Sequence, residues 1–171
     1  MAIYTEQITL RHATEADAGS VSDLIICVAR AQLRDEFTPE GWDLFLRLIN
    51  KQTQRGIIND KDFAYWLAII EIEATSIEPA REKIVGLLSS KRQLHVFHFF
   101  ILPDYQRLGI GTKLWRNYLM HIPHQQGLKI TVNSSDYALE FYKHLGFRNS
   151  GERAIKNGLA HTPMQFYLSS L

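Results

Sequence analysis

The sequence predicts an α/β fold in which a mixed, mostly antiparallel central sheet carries helices on both faces and contains one β-α-β crossover. Three strand-like segments follow one another between residues 63 and 102, as antiparallel strands do. A helical segment then separates two further strands, which is typical of a crossover between parallel strands. Because the 171 residues contain no repeat or Gly/Ser-rich linker, we expect residues 1–171 to form a single domain.

The amino-terminal part combines one strand with two amphipathic helices. Alternating polarity marks the strand, and apolar residues with a period of 3.6 mark the helices. Thr14 is the expected N-cap of the first helix, and Thr38 followed by Pro39 starts the second. In order, these elements are a strand over residues 7–13, a helix from Thr14 to about Leu33 and a helix over residues 38–52.

The rest of the chain alternates strands and helices. The three consecutive strands are almost continuously apolar, which indicates that both faces of the sheet are covered. Ser134 or Ser135 is the expected cap of the last helix, and Gly146 its end. The predicted elements are strands over residues 63–72, 83–91 and 94–102, a helix over 107–122, a strand over 128–134, a helix over 134–146 and a closing strand pair over 147–155 and 162–169.

Composition narrows the possible partners. The net charge of +1 provides no overall field to attract nucleic acid or an anionic membrane surface. The amino terminus lacks a basic and apolar leader, and no stretch is long and apolar enough to span a bilayer, so we expect a cytoplasmic protein. The lone Cys27 is expected on the buried face of the first helix as an inert core thiol.

The segment DYQRLGIGTKLW, residues 104–115, is the first candidate binding site. Gly109 and Gly111 lie between an apolar strand and a helix, where unpaired backbone N–H groups and the helix dipole favour an anion. Arg107, Lys113 and Arg116 are expected to add positive charge, so phosphate or pyrophosphate is the candidate ligand. The spacing fits neither a P-loop nor G-x-G-x-x-G. A structural turn without a ligand remains the alternative.

A second motif lies further along the chain. Residues 106–111 fit Q/R-x-x-G-x-G/A after a strand, and the later helix ends in Tyr-x-x-x-Gly-Phe from Tyr142 to Phe147. Together these motifs resemble the GNAT superfamily of acyl-CoA-dependent N-acetyltransferases. The resemblance extends to the order of elements over nearly the whole chain, while its specific motifs lie between Leu94 and Phe147.

The resemblance implies a binding site for coenzyme A. The turn would hold the pyrophosphate through its backbone, the end of the preceding strand would pair with the pantetheine arm, and residues near the last helix would touch the cofactor. Many relatives have Asn where this chain has Ser135. The cofactor residues so implied are Ile101, Leu102, Gln106, Arg107, Leu108, Gly109, Ile110, Gly111, Thr112, Asn133, Ser135 and Tyr142.

Acetyl transfer from a thioester to an amine requires a neutral amine, stabilisation of the oxyanion and a proton for the leaving thiolate. A lysine-like amine has a pKa of about 10.4, so a base is useful. By resemblance, Tyr142 is the expected acid and His95 the expected base. His98 is expected on the opposite face of the strand unless a bulge changes the alternation. Glu71 and Glu73 compete as bases, although a solvated strand end explains them equally well.

The acceptor site is expected between the two amino-terminal helices and the last strand pair. Asp35 and Glu36 could guide a cationic amine there. Three large aromatic residues could line it or form core: Trp42, Phe45 and Trp66. No spacing of the remaining histidines suits a metal.

The sequence therefore predicts an N-acetyltransferase that moves an acetyl group from acetyl-CoA to a primary amine of a small molecule or peptide by direct attack. One alternative is a CoA-binding or partner-binding module without acyl transfer. Another is an interaction domain without a ligand. Exposed strand edges could pair two chains as a homodimer.

Overall fold

The computed structural model describes residues 8–74 and 79–168, so Gln7 and Ser169 of the predicted strands lie outside the described residues. Within the described residues, the α-helices are α1 (Ala18–Gln32), α2 (Pro39–Leu48), α3 (Lys51–Ile58), α4 (Ile110–Met120) and α5 (Leu139–His144). The strands are β1 (Thr9–His12), β2 (Phe63–Ile72), β3 (Arg81–Lys91), β4 (His95–Ile101), β5 (Lys129–Ser134), β6 (Arg148–Asn149), β7 (Ala154–Lys156) and β8 (Leu159–Tyr167).

The strands form one mixed sheet with β4 at its centre. Their order is β1-β2-β3-β4-β5-β8-β6, and β7 pairs with β8. Strands β4 and β5 run parallel, and the other pairs in the described part of the chain are antiparallel. Helix α4 connects β4 to β5, which confirms the predicted β-α-β crossover.

The sheet buries an apolar core on each face. On one face the core includes Leu114 and Tyr118 of α4 together with Tyr142 of α5. On the other face it includes Val21 and Ile25 of α1, with α3 beside them. This two-sided burial explains the continuous apolar sequences of β2 and β3, because water reaches neither face.

The helix predicted over residues 38–52 is in fact two helices. Thr38 caps α2 as predicted, since its Oγ1 accepts a hydrogen bond from the Gly41 N–H at 3.1 Å. The chain then leaves the helical path at Asn50, whose Oδ1 accepts from the Thr53 N–H at 3.0 Å and caps α3. The prediction of one continuous helix is wrong because an asparagine side chain favours starting a helix over continuing one.

The first α-helix begins later than predicted, at Ala18 with Asp17 as its N-cap, and its cysteine faces outward. Thr14 donates its N–H and its hydroxyl to the Asp17 carboxylate, which starts a short 3-10 turn before α1. The inward face of α1 is formed by residues such as Leu24 and Val28, which leaves Cys27 exposed. The expectation of a buried thiol is therefore wrong.

The last helix and the strand that follows it are shorter than predicted. Ser135 Oγ accepts from the Ala138 N–H at 3.2 Å, and α5 begins only after this turn. Gly146 ends the helix with a φ of +96°. The strand predicted over residues 147–155 is two short strands, and both pair with β8. No helix among the described residues is long and apolar enough to cross a membrane.

Candidate active site

The turn between β4 and α4 presents backbone N–H groups from the start of a helix. Gly109 occupies the N-cap position with a φ of +77°, and no side chain of the described residues caps α4. Arg107 also has a left-handed φ, +61°. The N–H groups of the first helical turn therefore point outward at the positive end of the helix dipole, where an anion is favoured.

The two glycines of this turn serve different purposes. Gly109 is needed for its left-handed backbone, which a side chain disfavours. Gly111 lies inside α4, and a Cβ atom there would lie 3.1 Å from ring carbons of Phe141 on α5. The second glycine therefore lets α4 and α5 approach each other.

The charge predicted around the turn is only partly present. Arg107 is exposed beside the turn and lines the cleft described below. Lys113 donates from Nζ to the Ile8 carbonyl at 2.5 Å, and Arg116 is exposed one turn further along α4. Of these three residues, Arg107 alone lines the cleft.

Gln106 ties the turn to three other parts of the molecule. Its side-chain amide forms reciprocal hydrogen bonds with the Gln32 amide on α1, at 3.0 and 3.1 Å. Its Nε2 also donates to the Ile101 carbonyl, and its Oε1 accepts from the Tyr137 hydroxyl at 2.9 Å. The Gln106 side chain therefore positions the turn and is already engaged within the protein.

Strands β4 and β5 diverge next to this turn. They pair only at His95 with Thr131 and Val96 with Val132, so the rest of this edge of β4 has no strand partner in the described structure. Leu102 faces the opposite edge, because its N–H donates to the Val85 carbonyl at 2.9 Å.

The backbone groups of successive strand residues point to alternate edges, so Phe99 and Ile101 face the divergence. The structure thus places Leu102 away from the position expected for it and adds Phe99. Counting back two residues from Ile101 would have found Phe99 from the sequence.

An irregularity in β4 brings two histidines to one face of the sheet. Ser89 pairs with His98 and Ser90 with Val96, so Phe97 is an extra residue in β4. As a result Val96 and Phe99 both contact the core beside α4, which leaves His95 and His98 on the face of α1. Opposite faces were expected only for a regular strand, and the bulge at Phe97 changes the alternation.

His95 is half-buried at the narrow end of the divergence. Its Nδ1 lies 2.8 Å from Thr131 Oγ1 on the neighbouring strand. Burial lowers the pKa of His95 below its usual 6.5, and the nearby positive charge of Lys91 lowers the pKa further. The imidazole is therefore neutral at pH 7 and can accept a proton.

Three buried polar side chains form a chain on the same face, which sequence reasoning missed. The Tyr65 hydroxyl donates to Gln54 Oε1 at 3.1 Å and lies 2.9 Å from His98 Nδ1. Because the phenol has one proton, His98 must donate from Nδ1, which leaves a lone pair on Nε2. Burial lowers the pKa of His98 to about 3. The signal was weak because Gln54 resembles any surface glutamine in sequence.

Tyr142 lies on the opposite face of the sheet, buried within α5. Its ring packs against Phe147 and Phe99, with centroids 5.3 and 6.3 Å away. Burial raises the pKa of its phenol above the usual 10, so the hydroxyl stays protonated at neutral pH.

The remaining predicted residues divide between cleft and surface. Asn133 and Ser135 line the cleft near the start of α5. Glu71 and Glu73 are exposed at the far end of β2 and do not line the cleft, which fits a solvated strand end. Glu36 accepts the backbone N–H groups of Asp136 and Tyr137, at 2.7 and 2.8 Å, so its carboxylate holds a turn.

The large aromatic residues are mostly core. Trp42 is buried in a small core beside α1, and Phe45 packs against that core. Trp66 is buried in the core beside α4. Phe45 also lines the cleft. Asp35 is exposed and outside the cleft.

One cleft of about 1010 Å³ joins these features. Its lining includes the turn before α4, Tyr142 on one face of the sheet, and His95 and His98 on the other. It also includes residues of α1, α2 and α3. The cleft therefore passes from one face of the sheet to the other where β4 and β5 diverge.

Comparison with known proteins identifies this arrangement. A family model described as "Acetyltransferase (GNAT) domain" matches residues 33–168. The chain belongs to the GNAT acetyltransferase family. It is a GNAT-type N-acetyltransferase, and the structural comparisons agree with that fold. A search of the curated proteins found no match.

Solved structures of GNAT proteins share this fold over almost their whole length. A GCN5-related N-acetyltransferase from Rhodopseudomonas palustris superposes with a TM-score of 0.71 and 20% identity, covering 100% of this chain and 99% of that chain. The PaiA N-acetyltransferase from Thermoplasma acidophilum, in complex with coenzyme A, gives 0.69 and 14%, covering 94% and 98%. A variant of a spermidine N-acetyltransferase from Vibrio cholerae gives 0.60 and 15%, covering 96% and 95%.

Proposed function

We propose that this GNAT enzyme transfers an acetyl group from acetyl-CoA to a primary amine by direct attack, with His95 as general base and Tyr142 as general acid. The observation that carries the proposal is the cleft itself. A helix N-terminus suited to pyrophosphate, an open strand edge and both titratable residues all line one passage through the sheet.

The residues of the passage fit coenzyme A. The N–H groups at Gly109, Ile110 and Gly111 have no helical carbonyl to donate to, which suits the pyrophosphate, and the exposed Arg107 adds a positive charge beside them. The open edge at Phe99 and Ile101 offers main-chain groups to the two amides of pantetheine, as a strand would. The Ile101 carbonyl already accepts from Gln106, so its second lone pair would serve. When bound, acetyl-CoA supplies the activated acetyl group.

His95 is positioned to take a proton from the amine. If Nδ1–H donates to Thr131 Oγ1, the lone pair of Nε2 is available. The lowered pKa keeps this lone pair unprotonated at pH 7, although it also makes the imidazole a weaker base. As the amine nitrogen bonds to the acetyl carbon and the carbon–sulfur bond breaks, its proton would pass to His95.

Tyr142, on the opposite face of the sheet from His95, would protonate the leaving group. A phenol with a raised pKa remains a proton donor throughout the physiological range. It would transfer its proton to the departing thiolate and recover one from solvent. The aromatic packing against Phe99 and Phe147 holds the ring in a single orientation.

Isothermal titration with acetyl-CoA and, separately, with desulfo-CoA tests the first half of the proposal. We expect micromolar binding of both, because the pyrophosphate and pantetheine contacts do not need the sulfur. Thiol release with a panel of primary amines tests the second half. Binding without any transfer would favour a CoA-binding module, and absence of binding would leave only a structural turn.

A further inference from the structure

We infer that the acceptor is a primary amine on an apolar, uncharged body, and that helices α2 and α3 select it by excluding a second positive charge. This inference names the substrate class of the proposed function and rests on it. It comes from the wall of the cleft on the α1 side of the sheet, which we call the acceptor wall. Its apolar members include Leu44, Phe45, Leu48, Ile57, Phe97 and Phe100.

The acceptor wall carries no carboxylate. Among the described residues that line the cleft, Glu140 is the acidic one, and it lies on α5 in an ion pair with Lys143 at 2.7 Å. The other charged lining residues, Arg107 and Lys156, are basic. A diamine or polyamine would therefore place its second ammonium against hydrocarbon with no anion to pair with, which is costly.

The polar side chains behind the acceptor wall do not change this conclusion. Gln54 is fully buried, and its Nε2 has no hydrogen-bond partner among the described residues. Tyr65 and His98 complete the same chain, and burial keeps both side chains neutral. These three side chains can form hydrogen bonds with an uncharged polar atom, but they present no negative charge to an ammonium group.

Three amines of equal length test the inference with acetyl-CoA as donor. Hexylamine, 5-amino-1-pentanol and 1,5-diaminopentane differ only in whether a methyl, hydroxyl or second amino group ends the chain. We expect kcat/KM for the diamine to be at least about tenfold lower than for hexylamine, with the alcohol nearer to hexylamine. A diamine that is used as well as hexylamine would overturn the inference and leave the proposed function standing.

A pair of variants on α2 tests which residues make the selection. Leu48 is 52% exposed at the mouth of the cleft, so Leu48→Glu can be tolerated by the fold. It should raise kcat/KM for the diamine relative to hexylamine several-fold. Arg47→Glu, also exposed on α2 but outside the lining, is the matched control and should leave the ratio unchanged.

Thermal melting would establish that both variants fold. An unchanged ratio in folded Leu48→Glu would overturn the assignment of the acceptor wall. If acetyl-CoA binds and no amine of any kind is acetylated, the proposed function fails as well, which separates the two failures.

Discussion

The two halves of the cleft are built from different parts of the chain. The half that we propose binds acetyl-CoA, called the cofactor half, uses backbone groups: a left-handed turn, the first turn of α4 and the open edge of β4. The half that we propose binds the amine, called the acceptor half, uses side chains from three helices and one face of β4. Backbone groups need glycine at fixed spacing, which leaves a motif, whereas an apolar wall accepts many combinations of residues. A sequence motif therefore supports the proposed acetyl donor, whereas no comparable motif supports a particular acceptor.

The largest expected effect is a loss of CoA affinity after a substitution in the cofactor half. Gly109→Asp places a carboxylate at the expected pyrophosphate site, and repulsion between like charges costs several kcal/mol, so CoA affinity should fall roughly a hundredfold or more. Titration calorimetry measures the loss. Gly127→Asp is the matched control, since Gly127 has a similar φ of +75° and open space around it. Unchanged affinity in folded Gly109→Asp would refute the pyrophosphate assignment.

Tyr142→Phe separates chemistry from binding within the cofactor half. Loss of the general acid should lower kcat roughly a hundredfold while the Kd for CoA stays nearly constant. Tyr118→Phe is a suitable control, because Tyr118 is equally buried but donates to the Gln93 carbonyl and lies outside the cleft lining. Equal losses of kcat and affinity in Tyr142→Phe would assign this tyrosine to cofactor binding.

A change in the packing of α2 should disturb the acceptor half alone. A Cβ at Gly41 would lie 2.5 Å from the Gly158 carbonyl oxygen, so Gly41→Ala must push α2 away from the β7–β8 hairpin. We expect the free energy of unfolding to fall by about 1–3 kcal/mol. The acceptor KM should rise while CoA affinity is retained.

Gly56→Ala on α3 is the control for this change. A methyl group added at Gly56 would have no atom within 4 Å, and alanine favours a helix more than glycine does. The free energy of unfolding of this variant should therefore rise by roughly 0.5–1 kcal/mol. Chemical denaturation measures both changes. If Gly41→Ala left the free energy of unfolding unchanged, α2 could shift without loss of stability and would not fix the position of the acceptor wall.

The smallest expected effect is a shift in the pH dependence of kcat/KM. Protonation of the amine substrate lowers kcat/KM at acid pH in every variant, and protonated His95 cannot act as a base, so kcat/KM should fall more steeply as the pH drops through the pKa of His95, which lies below 6.5. The change His95→Gln should abolish this steeper fall, which we call the acidic limb. Lys91→Met removes a positive charge that disfavours the imidazolium. It should therefore raise the pKa and move the limb to higher pH by a fraction of a unit.

A pH profile of both variants against the natural protein measures these shifts. His95 would be removed from the role of base if the limb moved to lower pH in Lys91→Met, or if the steeper fall below pH 6.5 survived unchanged in His95→Gln. His98 lies on the same face and would then be the next residue to test.

Much of the fold follows from local patterns. The crossover around α4, the strand over residues 63–72 and the cap at Thr38 were all predictable, because each depends on neighbouring residues. The break at Asn50 and the exposed Cys27 were not. An asparagine can lie within a helix or cap the start of a new one, so residue 50 alone did not reveal the break, and packing against the sheet decides which face of α1 is buried.

Local sequence by itself determined the turn at Gly109, the helix that follows it and hence the family of this enzyme, since backbone geometry depends on residues close in the chain. Only the tertiary structure decided the rest of the site. One extra residue in β4 turned His95 and His98 to the same face, and folding brought Gln54, Tyr65 and His98 from three elements into one buried chain. Such contacts depend on strand register and helix packing, which no short stretch of sequence specifies.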